Sequence, residues 1–210
     1  MKTLFLIAPI LFALTFCGLQ EKLKSLSGGT NSNTTTSSPS KSDSPGTSAE
    51  KVNPTTAQQK IIDSSTETKW DDQGLSWKLP DGWTKSDISK DQFVYRSKDG
   101  ANLIVSISTL GDNFPMDISL KAYYDQALQQ VKSGKYDSAR MVEIDGLTGV
   151  EFVEARPPNK GDVRRHQWIA YRRYLGQVQQ INVMTACDAG KFDDHPDDFG
   201  AIMYSMKAVK

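Results

Sequence analysis

The sequence lacks any imbalance of charge: 25 Lys and Arg residues are matched by 25 Asp and Glu. A nucleic-acid binder draws its affinity from a basic surplus that neutralises phosphates, so that class is excluded. The stretch from Glu67 onward, with 19 basic and 21 acidic side chains, is no more basic. Motifs for catalysis are missing too. There is no Gly-x-Ser-x-Gly elbow, no His-Glu-x-x-His, no Gly-x-x-x-x-Gly-Lys phosphate loop and no Cys-x-x-Cys. The two histidines, His166 and His195, lie in no nucleophile motif, and the expectation is a non-enzyme without a cofactor. No apolar run reaches the roughly 20 residues that cross a bilayer as a helix. The longest, residues 4–16, contains Thr15 and the helix breaker Pro9. Cysteine is scarce, with Cys17 and Cys187 alone. One reading joins them in a disulfide; another makes Cys187 a small buried side chain at a strand end. A third, a reactive thiol, has His195 as its only loose partner.

What is present at the start of the chain is an export pattern. Lys2 precedes the apolar run, and the run ends at Leu14-Thr15-Phe16-Cys17. This resembles the lipobox of bacterial lipoproteins, although Phe16 stands where that family carries a small residue. The resemblance implies a signal peptide over residues 1–16 and a lipidated Cys17 as the first mature residue. Two or more acyl chains make such an anchor stable. Ordinary signal-peptidase cleavage near Ala13-Leu14-Thr15 and an uncleaved anchor are the alternatives. Gly18, rather than aspartate, follows the cysteine and points to the outer membrane or cell surface. Lipid on Cys17 would leave Cys187 unpaired within the chain.

Residues 17–66 read as a tether rich in Ser and Thr, of a composition that buries too little apolar surface to order itself. As a coil it reaches roughly 40 Å on average. Residues 52–62 carry a weak helical pattern that Pro54 interrupts. One domain is expected over residues 67–210, a length suited to a single core. Leu75, Trp77 and Leu79 alternate with polar residues before the turn Pro80-Asp81-Gly82-Trp83. Phe93-Val94-Tyr95 is a second strand, and Lys98-Asp99-Gly100 turns into the alternating Leu103, Val105 and Ile107. A helix then opens at Pro115, Asp117 or Ser119, with Leu120, Tyr124, Ala127, Leu128 and Val131 on one face. Asp145-Gly146 turns one hairpin and Gly176-Gln177 a second, before a final helix begins near His195-Pro196 with Lys207 and Lys210 at its end.

The pattern predicts an α+β fold, a central antiparallel sheet flanked by helices. The segment Gly74-Leu75-Ser76-Trp77-Lys78-Leu79-Pro80-Asp81-Gly82-Trp83, the helix from Ser119 and the long paired strands after Asp145-Gly146 resemble the PsbP-like family. That resemblance implies an α/β/α sandwich and a domain that binds proteins rather than catalysing. Together with the anchor it implies a protein of the bacterial cell envelope with a protein partner. A small-ligand or divalent-cation binder is the alternative. Asp188, Asp193, Asp194, His195, Asp197 and Asp198 crowd one turn. They read either as caps of the final helix or as an oxygen-rich cation site, with Asp193, Asp194 and Asp197 as metal candidates. On an extended strand Arg164 and Arg172 share one face, and Arg165 and Arg173 the other. The expectation there is solvated or ion-paired arginines, or a docking patch for an acidic partner or lipid headgroups. Tyr123, Tyr124, Tyr171 and Tyr174 are either core and rim or the lining of a groove between helix and sheet.

Overall fold

The computed structural model describes residues 49–209. The expected signal peptide, Cys17 and most of the tether lie outside the described residues. The last part of the expected tether does not behave as coil. Strand β1 (Glu50–Lys51) pairs with a later strand, and helix α1 (Thr56–Ser64) follows it. The reason is a capping box. The Thr55 hydroxyl accepts the Gln58 amide at 3.1 Å, and Gln58 Oε1 accepts the Thr55 amide at 2.9 Å. Pro54 precedes that cap and so starts the helix rather than interrupting it.

Strands β2 (Thr66–Trp70) and β3 (Leu75–Leu79) form a hairpin around a short 3-10 turn that ends at Gly74, with φ 53°. A Cβ there would lie 2.8 Å from the Tyr174 hydroxyl, so close approach as well as φ selects glycine. β4 (Thr84–Ile88) was not expected from the sequence: all five of its residues are exposed, and it has no apolar alternation. It pairs with β5 (Gln92–Arg96), which pairs with β6 (Asn102–Leu110). Helix α2 (Met116–Lys132) begins directly after Pro115, three residues before Ser119, with Asp117 in its first turn. Lys121 and Asp125 pair across one of its turns at 2.8 Å.

Strands β7 (Tyr136–Ile144) and β8 (Leu147–Glu154) turn at Asp145 and Gly146, both with positive φ. Strands β9 (Val163–Tyr174) and β10 (Gln177–Asp188) turn at Leu175 and Gly176, one residue earlier than the sequence suggests. Helix α3 (Asp198–Tyr204) starts after a separate 3-10 turn, and β11 (Lys207–Ala208) closes the described chain. Lys207 therefore lies in a strand and not at a helix end; Lys210 is outside the described residues.

The large sheet runs β1-β7-β8-β9-β10-β6-β5-β4, and a smaller one runs β11-β3-β2. All of these pairings are antiparallel except β1 with β7. Alternation in β3 sends Leu75, Trp77 and Leu79 into the core and leaves Ser76 and Lys78 half-buried. Trp77 meets Phe93 edge-on, with ring centroids 5.6 Å apart. Leu103, Val105, Ile181 and Val183 line the facing side of the large sheet, and Ile202 and Met203 of α3 complete that core. Each such fully buried side chain contributes about 1.5–3 kcal/mol. Helix α2 covers the other side, with Leu120 and Ala127 over Val150. Helices therefore flank a central sheet, as the hydrophobic patterning requires.

Candidate functional site

Four side chains from distant parts of the chain converge under α3. Glu151, on β8, has a side chain 4 % exposed. Its Oε1 lies 2.6 Å from His166 Nε2 and accepts the Tyr204 hydroxyl at 2.6 Å. Its Oε2 accepts Arg140 Nε at 2.6 Å. Arg140 also donates to the Tyr204 oxygen at 2.8 Å and to Glu50 at 3.2 Å. Burial pushes the Glu151 carboxyl up, but His166, through its hydrogen bond and charge, then Tyr204 and Arg140, hold it down at about 2. Burial and the Glu151 charge push the Tyr204 phenol up. A carboxylate so stabilised does not accept a proton near neutral pH, and its phenol neighbour does not release one. The cluster is saturated by its own members.

The acidic turn is spread among several partners. Asp193 Oδ1 accepts Arg164 at 3.0 Å, and its other oxygen pairs with Arg156. Asp197 makes no side-chain cap on α3; its carboxylate accepts the Thr55 hydroxyl at 3.4 Å. The capping reading of Asp197 is thereby corrected, because the carboxylate is drawn to α1. His195 is buried, its ring stacked on Phe199 at 4.8 Å. Its Nδ1 lies 3.3 Å from Asp198, and its Nε2 lies 2.9 Å from Asp99 without hydrogen-bond alignment. Among the described residues no group of three or more His, Cys, Asp or Glu side chains is placed to hold a metal ion. Asp193, Asp194 and Asp197 do not form such a set.

The arginines divide between the faces of β9 as alternation predicts, but the structure adds burial. Arg164 and Arg172 are both buried. Arg164 bridges Asp193 and Asp137 and lies over the Phe192 ring at 4.2 Å. Arg172 donates to Gln179 at 3.0 Å and to the Val209 carbonyl at 3.3 Å, and it also bonds the Gln73 carbonyl. It thereby ties the small sheet to the large one. Neither is a free docking group. On the opposite face Arg165 pairs with Glu154 at 2.9 Å, and Arg173 donates to the Asp112 carbonyl at 3.0 Å. Cys187 is buried and free, as its position at a strand end suggested. Burial, then the charges of Asp188, Asp99 and Asp194, push its thiol up to about 11. That is the reverse of an activated thiol.

A cleft of about 750 Å³ opens between α1, β3, β11 and the turn at Asp145-Gly146. Ile62, Trp77, Ile144, Tyr204 and Met206 line its apolar parts, and Lys78 stands among its polar ones. The tyrosines singled out in the sequence do not line this cleft: Tyr123, Tyr124 and Tyr171 pack in the layer under α2, the core-and-rim alternative. Tyr174 lines an adjoining cleft of about 450 Å³ near Gly74, which shares Ser76 and Lys207 with the larger one. The sequence signals for the larger cleft were the capping box of α1 and the polar alternates of β3.

No family model matches the chain, and no curated protein matches it. In fold it is similar to several solved structures. One is a protein of Bacteroides thetaiotaomicron, at 15 % identity over 70 % of this chain with TM-score 0.47. The chain spans about half (49 %) of that protein's length. A second is the cyanobacterial PsbP, CyanoP, of Synechocystis, at 14 % identity over 70 % of this chain and 94 % of that one, TM-score 0.44. A third is LpqN of Mycobacterium tuberculosis, described as involved in cell envelope biogenesis. It is 12 % identical over 70 % of this chain and 86 % of that one, TM-score 0.48. Among the described residues no helix is long and apolar enough to cross a membrane.

Proposed function

We propose that this chain is a membrane-anchored lipoprotein of the bacterial cell envelope whose folded domain acts by binding and assembly, not catalysis. The observation that carries the binding reading is the disposition of its ionisable groups. Glu151, His166, Tyr204 and Arg140 satisfy one another, and Cys187 is buried with a raised thiol pKa. An enzyme keeps such groups within reach of substrate and tuned near the working pH. Here they hold the sheet to α3. The anchor rests on the apolar run that ends at Cys17, and the fold behind it presents surface rather than reagents.

Two measurements test this reading. Cells expressing the chain and fed radiolabelled palmitate should label it. Cys17→Ser should lose the label and leave the membrane fraction; label retained on Cys17→Ser overturns the anchor. Cross-linking on intact cells should return the same protein partner in replicate experiments, and the return of none overturns the assembly role. A second reading, a small-ligand binder, is favoured by one observation, the cleft of about 750 Å³.

A further inference from the structure

The cleft beside α1 contains polar groups that the fold leaves unused. Ser76 and Lys78 alternate with buried Leu75, Trp77 and Leu79, so both point to the same side of β3, away from the core. Both are half-buried and line the cleft. Among the described residues neither side chain has a hydrogen-bond or ion partner. Lys78 engages Ser205 only through its backbone amide, at 2.8 Å. The other charges of the lining are Lys51, Lys207, Glu67, Glu143 and Asp145. Lys207 lies 3.2 Å from Asp145, which also accepts the Ala208 amide at 2.9 Å. Glu67, opposite Lys78 in the register of β2 with β3, pairs with Lys69 at 3.4 Å. Lys51 and Glu143 face each other in the register of β1 with β7 without an ion pair among the described residues. On the outer side of β3 the unpartnered donors are one ammonium beside one hydroxyl.

Trp77, between Ser76 and Lys78 in sequence, points to the core side of β3. Trp77, 1 % exposed, has an indole Nε1 that is buried without a partner. Much of the rest of the lining is apolar: Val52, Ile62, Ile144 and Met206. The volume falls within the range of small-molecule sites. We propose that this cleft binds a small amphipathic carboxylic acid, its carboxylate at Ser76 and Lys78 and its aliphatic body against Val52, Ile62, Ile144 and Met206. The proposal builds on the domain being a binder; it requires neither the lipid anchor nor a protein partner.

Calorimetry on the full-length Cys17→Ser chain, free of detergent, tests it with octanoate, decanoate, 1-decanol and decyltrimethylammonium, all below their micelle concentrations. Decanoate should bind at one site, each added methylene from octanoate raising affinity about threefold to fourfold. Decanol should bind roughly tenfold more weakly, and the cation not at all. Lys78→Met should reduce decanoate to the level of decanol, whereas Lys121→Met on α2 should change nothing. The proposal is overturned if decanol matches decanoate, if Lys78→Met binds decanoate like the parent, or if a natively folded parent chain binds no decanoate. Because palmitate labelling and cross-linking are separate readouts, failure here is distinct from failure of the anchor or of the assembly role.

Discussion

Glu151 and Asp193 each hold arginine, in opposite surroundings. The Glu151 side chain is 4 % exposed and touches Arg140, His166 and Tyr204. Asp193 is 61 % exposed and touches Arg164 and Arg156. The residue types are nearly the same, and the energetic consequences are not. Water screens Asp193 and offers the exposed Arg156 a substitute partner. No water reaches Glu151 easily, so removing it strands the buried His166 and takes from the half-exposed Arg140 its shortest partner. The comparison teaches that composition of a charge cluster says little until its exposure is known.

The largest effect that would break this contrast is loss of Glu151. Glu151→Ala should destabilise the domain by about 3–5 kcal/mol, read as a lowered urea midpoint, because Arg140 and His166 lose their common acceptor. A loss below about 1 kcal/mol would place Glu151 with the surface pairs. Acid titration sharpens the same point. The Glu151 carboxyl falls from its ordinary 4.5 to about 2 on folding. The folded state thus binds that proton less tightly than the unfolded chain. The associated stability is complete above pH 4.5 and drains away as pH falls toward 2. It amounts to about 3 kcal/mol. Urea midpoints of the parent chain and Glu151→Gln should therefore converge across that window, and a constant gap would refute the assignment. The smallest effect belongs to the exposed partner: Asp193→Asn should change stability by no more than about 1 kcal/mol. Arg164 retains Asp137 and the Glu154 carbonyl in that variant.

Much of the sheet was legible because its signals are local. Alternation at Leu75, Trp77 and Leu79 marks β3, and alternation at Leu103, Val105 and Ile107 marks β6. Asp145-Gly146 marks the β7–β8 turn, where positive φ is needed at both positions. β4 was hidden because an exposed edge strand of Thr84, Lys85, Ser86, Asp87 and Ile88 has no apolar face to alternate. Helix α1 was legible in Thr55-x-x-Gln58 and was obscured by the polar composition around it. The buried cluster left no local trace. Arg140, Glu151, His166 and Tyr204 come from β7, β8, β9 and the end of α3, with 64 positions separating the first from the last. Only the sheet order β7-β8-β9, with α3 packed across it, brings them together.

By itself, then, the sequence determined the α+β class, the main turns, the two faces of β9 and the pattern that ends at Cys17, because each depends on neighbours within a few residues. Tertiary structure alone decided which charges are buried, which arginines are spent as ties, and that a cleft opens beside α1. Those properties depend on which distant strands lie side by side. Burial, which sets the energy of every charge in this protein, is a property of that assembly and not of any single segment.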